Sequence, residues 1–115
     1  MHGGVLRYTA QLMTIVPGKT ACVRCLFEAP PPEGAVPSCA VAGVLGPLAG
    51  LAGALMGAEA VRVLSGERGA YEGRLLVYEA RTARSRTVAV RPREGCPSCQ
   101  AARAAAARAV EGSVA

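Results

Sequence analysis

Aromatic residues are scarce in this chain of 115 residues: there is no tryptophan, one phenylalanine and three tyrosines. Tyr8, Phe27, Tyr71 and Tyr78 do not alternate with the arginines. A stacking surface for single-stranded nucleic acid is therefore absent, despite a net charge of +5. The arginines are scattered, and a solvated basic surface with no nucleic-acid partner is the expectation. Histidine is also scarce. His2 stands alone near the terminus and is assigned no role. No charged segment followed by an apolar run opens the chain, so no secretory leader is visible and a cytoplasmic location is expected. No GxGxxG turn is present. Gly3 and Gly4 do not form one, because no strand precedes them and no helix follows.

Cysteine, by contrast, is patterned. Cys22-Val23-Arg24-Cys25 and Cys96-Pro97-Ser98-Cys99 are two CxxC pairs far apart in sequence. Each pair presents two thiolates on one turn, and two such turns brought together make the tetrahedral S₄ site of a structural zinc. A disulfide framework requires an oxidising compartment and leaves one of the five cysteines unpaired. A pair of redox CxxC motifs lacks a thioredoxin-like context. Zinc held by Cys22, Cys25, Cys96 and Cys99 is the expectation. The insert between the pairs is longer than that of a compact zinc ribbon, so a larger fold must assemble the site.

Length and composition allow one domain with a modest core. Gln11 to Val16 reads as a strand closed by the turn Pro17-Gly18. Phe27 to Pro37 contains Pro30, Pro31, Pro32 and Pro37, which excludes helix and central strand and predicts an extended crossing loop. Ser38 sits at a candidate N-cap. A long helix is predicted from about Ala40 to Leu64, with Gly66 as its stop. Leu75 to Ala80 and Thr87 to Arg91 read as a β-hairpin. The segment from Ala101 is mostly alanine and arginine, helical in propensity but without an apolar face.

From Cys39 to Ala58 no residue is charged. About 20 such residues suffice to cross a bilayer. Gly46 with Gly50, and Gly53 with Gly57, also make GxxxG pairs. Against a membrane span, the segment is largely glycine and alanine with Pro47 inside it. Leu45, Leu48, Leu51 and Leu55 make one stripe at helical spacing beside a smooth glycine stripe. A helix buried between a sheet and a partner surface is expected, and no membrane contact. Cys39 itself allows two readings. At a helix start its thiolate would be favoured, which suits a reactive thiol; equally, it is a small residue packed at a helix entry. Glu59 and Arg62 are expected to punctuate the exposed end of the helix.

Several segments together resemble one family. They are Cys22-Val-Arg-Cys25-Leu26-Phe27, the proline-rich loop, Pro37-Ser38-Cys39-Ala40, and Ala42-Gly43-Val44-Leu45-Gly46-Pro47-Leu48-Ala49-Gly50. They continue through Glu59-Ala60-Val61-Arg62-Val63-Leu64-Ser65-Gly66, Gly73-Arg74-Leu75-Leu76-Val77-Tyr78-Glu79-Ala80 and Cys96-Pro97-Ser98-Cys99. In order and context they are similar to the second half of the ThiF/MoeB/HesA proteins, the ubiquitin-activating-like adenylyltransferases. The resemblance covers about residues 2–99 and leaves a tail, 100–115, outside. It implies an α/β fold: the C-terminal part of a doubly wound, Rossmann-like sheet, with one long buried helix, a β-hairpin and a four-cysteine zinc knuckle. Such proteins use ATP and magnesium to adenylate the C-terminal glycine of a ubiquitin-like sulfur carrier of ThiS or MoaD type. A sulfur nucleophile then displaces the adenylate, for thiamine, molybdopterin or related products. In some of them a cysteine matching Cys39 forms a sulfur-linked intermediate with the carrier. In others it is dispensable.

The family's nucleotide-binding residues match nothing in these 115. The resemblance therefore implies a fragment that is inactive alone and requires a missing N-terminal half or a homodimer partner. Two classes of function stand: the carrier-binding, zinc-bearing half of a sulfur-carrier adenylyltransferase, and a non-catalytic zinc-binding interaction module. A small membrane protein is the third and weakest.

Overall fold

The computed structural model describes residues 1–112, the side chain of Cys39 excepted. The chain opens with two strands, β1 (His2–Leu6) and β2 (Thr9–Met13), joined by a tight turn at Arg7 and Tyr8. β1 departs from expectation, since His2-Gly3-Gly4 carries little strand propensity. Its pairing with β2 supplies what its composition does not. A Cβ at Gly3 would meet the sulfur of Met56, so glycine here admits the close approach of the long helix. The predicted strand 11–16 ends earlier than expected and begins at Thr9. The chain then turns at Pro17 and Gly18 (φ 79°), where Lys19 and Thr20 both donate backbone N–H bonds to Val16.

One helical turn, α1 (Val23–Leu26), leads into the proline-rich loop. Residues 28–37 form neither helix nor strand, as the prolines require. The predicted helix over 40–64 is two helices, α2 (Cys39–Ala42) and α3 (Gly46–Leu64). Pro47 explains the break. Its ring would clash with the carbonyl four residues back and it has no N–H, so it is admitted only in the first turn of α3. Gly43 (φ 78°) makes the bend. This bend is clasped to the first hairpin: Arg7 N–H donates to Gly43 C=O at 3.0 Å, and Leu45 N–H donates to Arg7 C=O at 2.9 Å. The two bonds hold Arg7 at φ 54°, a conformation that L residues rarely take. α3 ends as expected at Gly66 (φ 85°). Gly66 N–H reaches Val63 C=O and Glu67 N–H reaches Arg62 C=O, the paired bonds of a Schellman cap.

β3 (Arg74–Glu79) and β4 (Arg84–Ala89) form the predicted hairpin, and β2 pairs with β3. The result is one four-stranded sheet in the order β1-β2-β3-β4, antiparallel throughout. The described residues thus form a mixed α/β fold. They contain no parallel doubly wound sheet: β1 to β2 and β3 to β4 return by turns, and the long connection from β2 through α1, α2 and α3 brings β3 back antiparallel to β2. α4 (Pro97–Gly112) starts within the second CxxC pair and runs without interruption through the alanine-arginine segment.

The core lies between α3 and one face of the sheet. Ala10, Leu12, Leu48, Ala52 and Leu76 are buried there, with Val5, Leu55, Met56 and Tyr78 packed around them. The helix stripe is therefore 48, 52, 55, 56 and 59: of the predicted leucine stripe, Leu48 and Leu55 lie in it, while Leu45 and Leu51 are each 39% exposed. Nor is α3 buried all round. Val61 and Leu64 face outward, and a Cβ at Gly50, Gly53 or Gly57 would meet nothing within 4 Å. By length and composition α3 is able to cross a membrane; in this fold one face of it lies on β1 and β2.

Glu59 overturns the expectation of an exposed helix end. It is 2% exposed. Thr14 Oγ1 donates to its Oε1 at 2.8 Å, Tyr71 N–H donates to the same oxygen at 3.1 Å, and Arg62 Nε lies 3.8 Å from Oε2. The carboxylate thereby ties α3 to the end of β2 and to the turn that enters β3. Gly69 in that turn passes so close that a Cβ would collide with the carboxylate.

Candidate metal centre

Two local folds bring the four predicted ligands together. At the first pair, Cys25 N–H bonds back to Cys22 C=O at 3.0 Å, so α1 turns both thiols to one side. At the second, Pro97 starts α4 where its missing N–H costs nothing, and Gln100 N–H bonds to Cys96 C=O at 3.1 Å. The four Sγ atoms all lie within 4.8 Å of one another. Cys22–Cys25, Cys22–Cys96, Cys25–Cys99 and Cys22–Cys99 are 3.7, 3.6, 3.5 and 3.6 Å apart.

These distances decide the chemistry. A disulfide needs about 2.05 Å between sulfurs. A tetrahedron with metal–sulfur bonds of about 2.3 Å has edges of about 3.8 Å. The four thiols are free and spaced for a tetrahedral ion, so the cluster can hold a metal. Cys96 and Cys99 are buried, while Cys22 and Cys25 are half-buried. Four protein sulfurs would leave no open position, which fits a structural ion and not a catalytic one.

The surroundings favour thiolates unequally. Burial acts to push the Cys25 thiol up, but backbone hydrogen bonds from Arg93 (3.2 Å) and Cys22 outweigh it, and the pKa falls to about 6. For Cys96 the backbone N–H of Cys99 is the foremost cause of a lowered value. Burial, then the neighbouring thiols, push Cys99 up to about 12. Arg93 also places its guanidinium 3.9 Å from Glu28, across the start of the crossing loop.

Cys39 opens α2 directly after Ser38. Its side chain lies outside the described residues, so its predicted reactivity meets no geometry here. The segment before it has a clearer place. Val36, Pro37 and Ser38 overhang β1 and enclose a groove of about 640 Å³ with Gly4, Leu6, Thr9 and Gln11. A second depression of about 650 Å³ shares Thr9 and Gln11 and continues past Val77 and Glu79 to Arg84 and Arg86. Neither groove is legible in the sequence. The one signal is arginine at alternate positions in β4.

The ThiF family profile matches residues 1–99. The chain is 41% identical over 99 residues to a SAMP-activating enzyme E1 of Haloferax volcanii, covering 86% of this chain and 36% of that protein. It is 53% identical over 78 residues to a sulfur carrier protein adenylyltransferase of Thermus thermophilus, covering 68% and 29%. It is 36% identical over 101 residues to an adenylyltransferase and sulfurtransferase MOCS3 of Dictyostelium discoideum, covering 86% and 24%. The chain thus spans between 24% and 36% of the length of these relatives. Both CxxC pairs, the crossing loop and all four strands fall inside the matched span, and the chain belongs to the ThiF family.

Proposed function

We propose that these residues form the carrier-binding, zinc-bearing part of an ATP-dependent adenylyltransferase that activates the C-terminal glycine of a ubiquitin-like sulfur carrier. The observation that carries this reading is the 53% identity over 78 residues to a sulfur carrier protein adenylyltransferase. The groove under Val36, Pro37 and Ser38 supports it. A glycine-rich tail has little side-chain bulk to grip, so it needs a channel covered by a stiff segment, and the prolines supply stiffness. Zinc on Cys22, Cys25, Cys96 and Cys99 anchors the near end of the crossing loop, and the clasp from Arg7 to Gly43 and Leu45 anchors its far end.

The ATP and magnesium contacts come from residues outside these 115, which hold no GxGxxG turn and no aspartate. Cys39, at the end of the crossing loop, is the candidate nucleophile toward the carrier's acyl-adenylate: a thioester would form as AMP leaves and the thiol proton passes to solvent. A four-cysteine metal site suits a reducing compartment, and a cytoplasmic location goes with this reading.

A chimera tests the reading. Residues 1–99, grafted in place of the corresponding segment of the Haloferax volcanii protein, which is similar over 99 residues, should support carrier-dependent ATP–pyrophosphate exchange. The 115-residue chain alone should show none. Within the active chimera, Cys39→Ser should spare exchange and impair carrier thiocarboxylate formation, read by mass spectrometry. A second reading is a non-catalytic zinc-binding interaction module, for which the four-cysteine cluster alone suffices. A folded, metal-loaded chimera that binds carrier without exchange would favour it.

A further inference from the structure

Among the described residues, one buried side-chain polar atom has no hydrogen-bond partner, and it is Nε of Arg93. Arg93 is also the one arginine among them that is not exposed; its side chain is 33% accessible. The backbone holds it at the metal centre from both sides. Its N–H donates to Cys25 Sγ at 3.2 Å, and its C=O accepts from Cys96 N–H at 3.2 Å. Gly95, at φ 75°, makes the turn from Arg93 to Cys96. Arg93 thus touches both cysteine pairs through its main chain. Its charge has little to meet within the chain. Glu28 is 3.9 Å away and 76% exposed, a pair that solvent screens. A half-buried guanidinium with an orphaned donor is unfavourable unless negative charge lies beside it. Four thiolates on a divalent ion supply that charge, since the complex carries a net charge of about −2.

We infer that Arg93 is a positioning residue of the metal centre, whose guanidinium offsets the negative charge of the metal–thiolate cluster and so strengthens its hold on the ion. This rests on the reading that Cys22, Cys25, Cys96 and Cys99 bind zinc, and adds to it the group that balances the charge they create. Groups that support metal ligands from outside typically contribute about 10–100-fold in affinity. The backbone bond to Cys25 is independent of the side chain at position 93, so replacing that side chain isolates its charge. Arg24 provides the contrast. It lies between Cys22 and Cys25 in sequence, yet it is exposed and directs its guanidinium to Glu28 C=O at 3.5 Å. Solvent screens a cation in that position.

The test uses the 115-residue chain loaded with zinc or with cobalt(II). Competition with a chelator reads zinc affinity, and the sulfur-to-cobalt charge-transfer band reads the charge that the thiolates feel. Arg93→Met keeps an apolar stem and removes the cation. It should weaken zinc binding about tenfold. It should also move the band to longer wavelength, because thiolates without a neighbouring cation give up electron density more readily. Arg93→Gln, a second neutral variant, should do the same. Arg93→Lys keeps the charge and should recover most of both effects. Arg24→Met should change neither. All the variants should keep the native circular dichroism when saturated with metal. Native affinity and an unmoved band in both neutral variants would overturn the inference while leaving the metal site intact. Weakened binding with an unmoved band would overturn it too, since that is the pattern of lost packing. A native chain that takes up no zinc would overturn the underlying reading as well.

Discussion

Glu59 illustrates how much one side chain can hold in a thin core. Its carboxylate joins a helix, a strand end and a turn. Removing it leaves the Thr14 hydroxyl and the Tyr71 amide without their acceptor. Glu59→Ala should therefore cost about 2–4 kcal/mol in urea unfolding, and Glu59→Gln less, since the carboxamide keeps one acceptor. The carboxyl is held below its ordinary value of 4.5: burial acts to raise it, but the Tyr71 amide, the Thr14 hydroxyl, the Ala70 amide and Arg62 outweigh burial. A lowered folded value gives stability that is present above the ordinary value and disappears as pH falls through the folded one. Thermal midpoints measured down an acid series should drop more steeply for the native chain than for Glu59→Gln. The metal cluster depends on pH through its thiols. Cys99, pushed up to about 12, keeps its proton at neutral pH, so loading a metal must release it. Metal affinity by competition with a chelator should therefore rise with pH.

At the scale of elements, legibility follows the range of the forces involved. The CxxC pairs, the Pro17-Gly18 turn, the Gly66 stop and the hairpin of β3 and β4 are set by local chemistry and are readable as such. The break between α2 and α3 is written in Pro47, but the uncharged run around it suggests continuity. β1 exists because β2 pairs with it, and Glu59 is buried because Thr14 and Tyr71, 45 and 12 residues away, meet it; neither fact is local. The metal cluster joins α1 to the first turn of α4. Replacing Cys25 or Cys99 with serine should lower metal stoichiometry below one per chain by mass spectrometry. It should also free α4, whose Arg103 Nε bonds to Gly18 C=O at 3.2 Å. Structural zinc in small domains contributes on the order of 10 kcal/mol of apparent folding energy. A chelator should therefore produce a cooperative loss of helix signal. Full helicity in the stripped protein would argue that packing alone holds α4.

The whole molecule is elongated, 53 × 35 × 23 Å, with a radius of gyration of 16.2 Å. A compact chain of this length has about 13 Å. The difference reflects a sheet covered on one side only and a helix with Val61 and Leu64 outward. Exposed apolar surface and the unpaired edges of β1 and β4 favour association. Sedimentation should show concentration-dependent self-association of the isolated chain, and a strictly monomeric species at high concentration would contradict this.

The cluster of four cysteines also makes the chain a ring. Cys22 and Cys25 lie before the proline-rich loop, Cys96 and Cys99 after it, and a metal on all four would close the circuit. A protease cutting between residues 28 and 37 would open that ring without parting its ends. Native mass spectrometry should find the two pieces travelling together with one ion between them. Adding a chelator should leave the pairing of β2 with β3, the packing of α3 on the sheet, the clasp of Arg7 to Gly43 and Leu45 and the bond from Thr14 to Glu59, and the pieces should then separate at a lower denaturant concentration than the metal-loaded pair.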